Sequence, residues 1–126
     1  MSLGYHLRRG QHLFTVAAGY ALALWAMRVN RFFSSVIRIQ TDRGQHVVNA
    51  GPYAFVRHPG YTAGILIIAA SGPALGSWIA AALVVIFSLP FLLHRAITED
   101  RILQAELAGY SDYAARVRWR LVPGIW

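Results

Sequence analysis

Uncharged apolar segments alternate with arginine-rich segments along the chain. Residues 13–27 form the first uncharged segment, and residues 62–93 form a second, longer one. As helices they would measure about 22 Å and 48 Å, whereas the hydrocarbon core of a bilayer is roughly 30 Å thick. The first segment is therefore either a marginal membrane span or a buried helix of a larger bundle. The second is too long for one span.

The longer segment is interrupted near its middle by residues that end helices. Ser71-Gly72-Pro73 and Gly76-Ser77 provide turn signals there. We therefore predict a transmembrane hairpin with arms at about 60–75 and 77–93. The second arm should continue into the amphipathic segment 94–108, with a kink at Pro90 and an end at Gly109, followed by a short helix through 113–117.

The charge distribution supports the hairpin. All twelve basic residues are arginines, and ten of them follow residue 27. A hairpin places these ten on one side of the membrane, and the positive-inside rule makes that side the cytoplasm. The sequence thus predicts one all-α membrane domain, with membrane segments at about 13–27, 60–75 and 77–93 and a cytosolic cap from residues 28–57 and 94–126.

The composition narrows the class further. Apolar residues make up 56% of the chain and charged residues 13%, a balance typical of proteins in lipid rather than water. The chain has no cysteine, which excludes disulfides and thiol nucleophiles. No histidine pair has metal-ligand spacing, so we expect no metal. We also expect no nucleic-acid partner, because the chain shows no nucleic-acid-binding module.

Two places could carry chemistry. The stretch 51–61 holds prolines, glycines, tyrosines, Arg57 and His58 directly before a membrane arm. It is either a shaped loop that exposes backbone N–H groups to a ligand or an ordinary turn with interfacial anchors. Arg95 and Glu99 lie four residues apart on one helix face, where they can pair with each other or hold a ligand.

These pieces together resemble the isoprenylcysteine carboxyl methyltransferases and their bacterial relatives, neighbours of the phospholipid N-methyltransferases. The resemblance runs from about residue 33 to 126. It is carried by Val36–Gln40, His46–Val48, Gly51–Tyr53, Val56–Tyr61, Arg95, Glu99–Leu103 and the tail Gly109–Trp126. In two respects the chain departs from the family: Asp100 stands where a second glutamate is usual, a change we expect to be tolerated, and the N-terminus is shorter.

The resemblance implies an S-adenosylmethionine site and the residues that line it. The implied cofactor-binding residues are Gln40, Gln45, His46, Val47, Val48, Tyr53, His58, Pro59, Gly60, Tyr61 and Glu99. Arg95 is implied to face the acceptor, and Arg95 and Glu99 are the implied catalytic pair. Glu99 could hold the ammonium group of the donor, and Arg95 could orient an acceptor carboxylate through a bidentate contact.

The implied function is methyl transfer to a lipophilic or lipidated acceptor, with membrane lipid as surroundings and a carboxylate of an isoprenoid-like molecule as the expected target. Three alternatives stay open: a lipid-amine N-methyltransferase, a nicotinamide-dependent membrane reductase and a non-catalytic small membrane subunit. The exclusive use of arginine hints at a bacterial inner membrane.

Overall fold

The computed structural model describes residues 2–126, and the regular secondary structure within them is all helical. The helices are α1 Ser2–Val29, α2 Pro59–Ala74, α3 Trp78–Glu106 and α4 Tyr110–Arg116, with single 3₁₀ turns at Thr41–Arg43 and Gly51–Ala54. The predicted all-α membrane bundle is confirmed. Along the bundle, α1 packs against α2 and α2 packs against α3.

The predicted hairpin between α2 and α3 is present. The Ser77 N–H donates to the Gly72 carbonyl at 2.9 Å, and Gly76 adopts a φ of 82°, which favours glycine. The Ser77 hydroxyl then caps α3 by accepting from the Ala80 N–H. A side chain at Gly72 would come within 2.5 Å of the Ala81 backbone. Glycine at this position therefore allows the two arms to touch.

The first helix is longer than its apolar segment. It begins at Ser2, eleven residues before the apolar segment, and continues through Arg8, Arg9 and Gly10 without interruption. It runs antiparallel to α2, since Arg9 Nε donates to the Ala74 carbonyl at 3.1 Å and His12 packs edge-on against Trp78. Arg9 therefore lies at the hairpin end of the bundle, away from the loops that follow α1.

Two helical segments, His6–Val29 and Trp78–Glu106, are long and apolar enough to cross a membrane. Their large apolar side chains point outward; Phe14, Ile79 and Phe87 each keep about three quarters of their surface exposed (76%, 78% and 74%). Such exposure suits lipid, in which apolar surface carries no penalty. The 16 residues of α2 span only about 24 Å at 1.5 Å per residue, so this arm is short, as the sequence indicated.

The water-facing segments 30–58 and 94–126, which we call the cap, pack together at the end of the bundle opposite the hairpin turn. As predicted, α3 continues past Leu93 into the cap, where it ends at Glu106. Gly109 then adopts a φ of 82° and caps the start of α4. The N–H groups of Arg57 and His58 donate to the carbonyls of Trp119 and Arg120, both at 2.9 Å. The two halves of the cap are thus joined through backbone hydrogen bonds.

Candidate functional site

The cap encloses a cavity of about 480 Å³ beside the part of α3 that leaves the apolar bundle. A volume between about 300 and 1,000 Å³ is usual for small-molecule sites. All the residues implied from sequence line this cavity except Pro59: Gln40, Gln45, His46, Val47, Val48, Tyr53, His58, Gly60, Tyr61, Arg95 and Glu99. Pro59 is buried at the first turn of α2, so its part is to start that helix.

The loop between α1 and the first 3₁₀ turn forms one wall and is held by its own polar groups. The Gln40 amide donates to the Phe32 carbonyl at 2.7 Å and accepts from Arg43 Nη1 at 2.6 Å. Gln45 in turn accepts the Gln40 N–H at 2.6 Å. Gln40 is only 3% exposed, and both ends of its amide are engaged within the loop. Its part is therefore to shape the wall.

The next wall comes from the predicted loop 51–61 and from α4. The Tyr113 hydroxyl donates to the Tyr53 carbonyl at 2.6 Å, and the Tyr53 hydroxyl accepts from the Asn30 amide at 3.2 Å. A side chain at Gly60, in the first turn of α2, would approach the Phe33 ring to 2.7 Å, so that ring would have to shift to admit it. The loop is thus a shaped wall of the cavity and more than a simple turn.

Arg95 and Glu99 do not form the i,i+4 ion pair that the sequence allowed. No ion pair of residues 2–126 includes either side chain. Arg95 instead donates to the Ser35 carbonyl and lies over the Phe91 ring. Glu99 acts electrostatically on Tyr61 and Tyr53. Glu99 is the single carboxylate among the cavity-lining residues, and both side chains face the same space.

Asp100 has a larger part than the sequence suggested. Its carboxylate is 2% exposed, and six donors reach it. Arg57 makes a bidentate pair with it, both bonds at 2.8 Å. The others are His58 Nε2 at 2.9 Å, Gln104 at 2.8 Å, Tyr110 at 3.3 Å and Arg120 at 3.3 Å. The aspartate that stands in place of the family's usual glutamate is thus a buried carboxylate with hydrogen bonds to both of its oxygens.

Arg57 connects this carboxylate to α4. Its Nη1 donates to the carbonyls of Val117 and Arg118, each at 3.1 Å, and these groups lie at the end of α4, where carbonyls lack helical partners. In the sequence, Arg57 belongs to the stretch 51–61, and Arg120, Tyr110 and Tyr113 belong to the tail of the resemblance, but none of them was assigned a role. A signal was available for Arg57: an arginine between apolar residues and directly before a membrane arm needs a buried partner.

Burial and the charge of Asp100 shift the pKa values of three tyrosines and of Arg57. Burial raises the pKa of Tyr53 to about 12, against the opposing bond from Asn30. It also raises the pKa of Tyr110 and Tyr113. For Arg57, burial alone would lower the pKa, but the hydrogen bonds and charge of Asp100 outweigh it and raise the pKa. At neutral pH the three tyrosines are therefore protonated and Arg57 is positively charged. Each tyrosine hydroxyl can thus donate a hydrogen bond.

Comparison with known proteins identifies the family of this chain. A search of curated proteins finds no match. The family model described as "Isoprenylcysteine carboxyl methyltransferase (ICMT) family" matches residues 12–105. The matched region includes most of α1, which the resemblance from sequence left out. It stops before the tail at 109–126, which the resemblance had included. It covers three quarters of the chain, the hairpin and nearly all of the cavity wall, and on this basis the chain belongs to the isoprenylcysteine carboxyl methyltransferase family.

Proposed function

We propose that the protein transfers a methyl group from S-adenosylmethionine to a lipophilic acceptor at the cap end of the membrane bundle. Family membership supports methyl transfer. The observation that carries the finer proposal is the position of the cavity: its walls come from water-facing loops and from the point where α3 leaves the apolar bundle. A water-soluble donor and a lipid-soluble acceptor can both reach such a place.

The cavity fits the donor in charge and in shape. The donor carries a sulfonium and an ammonium cation, and Glu99 is the lining carboxylate that can hold one of them. Val47, Val48 and Leu103 offer an apolar surface for the adenine ring. When bound, the donor supplies an electrophilic methyl carbon for in-line displacement. The protein then has to position the two reactants, which can supply much of the rate.

Another part of the cavity lining suits an acid with an apolar tail. Phe33, Val36 and Phe91 line it and are exposed at 36%, 61% and 60%. Arg95 stands beside them with a carbonyl as its hydrogen-bond acceptor. A guanidinium in this place can orient a carboxylate, which is already nucleophilic and needs no general base. We therefore propose a carboxylate of an isoprenoid-like molecule as the acceptor.

The arginines favour a cytoplasmic cap. Of the twelve arginines, all but Arg8 and Arg9 follow residue 27, and Arg9 lies at the hairpin end. The positive-inside rule then places the cap in the cytoplasm, where the donor is made. A bacterial inner membrane agrees with this placement.

Binding of S-adenosylhomocysteine, the demethylated donor, tests the proposal directly. We expect the purified protein in detergent to give a heat of binding in isothermal titration. Glu99→Gln should weaken binding by about 10-fold or more, because a charge-assisted hydrogen bond contributes roughly 1.5–3 kcal/mol. Glu106→Gln, an exposed change at the end of the same helix, is the matched control and should bind like the wild type.

A second pair of variants tests the site as a whole. Glu99→Ala and His58→Ala should each weaken donor binding strongly while the protein stays inserted in the membrane. Unchanged affinity in both variants would overturn the assignment of the cavity. The acceptor can be sought by comparing lipid extracts of cells with and without the gene, where the product is a lipophile heavier by one CH₂.

A further inference from the structure

Asp100 lies behind the cavity wall rather than in it. It is absent from the lining residues, yet three of the groups that it binds, Arg57, His58 and Tyr110, are lining residues. A buried carboxylate that contacts the cavity only through other side chains can act on the site by fixing their orientation.

We infer that Asp100 is a positioning residue of the cavity. Its carboxylate keeps a hydrogen on His58 Nε2 and thereby fixes which edge of the imidazole ring faces the cavity. The inference rests on the proposed function only in so far as His58 contacts the donor.

The geometry specifies the tautomer. His58 Nε2 lies 2.9 Å from Asp100 Oδ1, and an ionised carboxylate can only accept hydrogen bonds. Nε2 must therefore carry a hydrogen, which it donates to the carboxylate. The backbone of the same residue is fixed as well, because the His58 N–H donates to the Arg120 carbonyl at 2.9 Å. The imidazole ring and the backbone of His58 are thus each held by a hydrogen bond.

The rest of the network keeps the carboxylate itself in place. Arg57 holds both of its oxygens, and Gln104 and Arg120 bind Oδ2. Because Oδ2 is occupied in this way, the carboxylate cannot rotate without breaking several charge-assisted bonds. Oδ1 is therefore presented to His58 at a constant position. Of these partners, Gln104 and Arg120 do not line the cavity.

Nitrogen-15 NMR of the histidine side chains tests the tautomer in the unmodified protein. The five histidines are labelled with ¹⁵N, and the resonances of His58 are assigned by their loss in His58→Phe. We expect the Nε2 resonance of His58 to show a bonded hydrogen. A His58 ring with its hydrogen on Nδ1 alone would overturn the inference, whether or not the protein binds a methyl donor.

A double-mutant cycle tests the effect on the site. Asp100→Asn should weaken S-adenosylhomocysteine binding about tenfold in the wild-type background, which equals about 1.4 kcal/mol. In the His58→Phe background the same change should have little further effect, because the ring through which Asp100 acts is gone. Equal losses in both backgrounds would show that Asp100 only stabilises the fold. Asp112→Asn, the same chemical change at an exposed position of α4, is the matched control and should leave affinity unchanged.

The two proposals fail in different ways. Absence of binding by the wild-type protein would refute the proposed function and leave the tautomer to the NMR experiment. Wild-type binding that Asp100→Asn does not alter would refute the positioning role alone. Should Asp100→Asn not fold, Tyr110→Phe removes a single donor at 3.3 Å and should shift the His58 resonances. Unchanged resonances in that folded variant would count against a shared network.

Discussion

The same substitution at two arginines should reveal how much the buried network stabilises the cap. Arg57 and Arg38 each pair with an aspartate. The side chains of Arg57 and Asp100 are 6% and 3% exposed, whereas those of Arg38 and Asp42 are 47% and 61% exposed. Replacing each arginine by lysine keeps the positive charge and removes the planar fork. Any difference between the variants therefore reports burial and geometry rather than charge.

The expected magnitudes follow from the hydrogen bonds. Arg57 donates to both oxygens of Asp100 and to carbonyls at the end of α4. A lysine can keep one bond to the carboxylate, so it loses one charge-assisted bond and at least one to a carbonyl. We expect Arg57→Lys to lower the free energy of unfolding by about 3 kcal/mol. Arg38→Lys should cost no more than about 1 kcal/mol, the usual upper range for an exposed pair.

Reversible unfolding in mixed micelles of a mild detergent and dodecyl sulfate measures both variants. Helix content is followed by circular dichroism, and fluorescence of Trp119 and Trp126 reports the cap. A drop of less than 1 kcal/mol in Arg57→Lys, or equal drops in the two variants, would refute the conclusion that the buried network holds the cap together.

Two further predictions concern helix packing and pH. Gly72→Ala should destabilise the protein by about 1–3 kcal/mol, since its Cβ would lie 2.5 Å from the Ala81 backbone; Gly10→Ala, with nothing within 4 Å, should not, and micelle unfolding compares the two. The raised pKa of Tyr53 stabilises the fold below pH 10.0, and this contribution is lost as pH rises through about 12. Unfolding free energy should therefore fall less steeply across that window in Tyr53→Phe; an identical slope would contradict the assignment.

Local sequence patterns predicted the bundle well because its elements depend on neighbouring residues. The hairpin follows from Gly72, Pro73 and Gly76 within an uncharged segment, and the end of α3 follows from Gly109. The apolar segment 13–27 did not give the start of α1, which lies eleven residues earlier at Ser2 and includes Arg8 and Arg9. Charge marks where lipid ends, but a helix continues until a residue breaks it.

The cavity was predicted through resemblance, whereas the network behind it was not predicted at all. Arg57 and Asp100 are 43 residues apart in the sequence, so no spacing rule connects them. Gln40 shows the complementary difficulty: the resemblance placed it in the wall but could not show that its amide is engaged by Phe32 and Arg43. Which partner a polar side chain chooses is decided by tertiary packing.

The bond between Arg57 and the Val117 carbonyl spans 60 residues and sets an order of events during synthesis. Arg57 is synthesised well before the tail that carries its hydrogen-bond acceptor, the Val117 carbonyl. The α2–α3 hairpin between them can enter the bilayer in the meantime. Insertion should therefore precede completion of the pocket. Nascent chains stalled before residue 117 should be embedded in the membrane yet accessible to proteases in the loop 51–58.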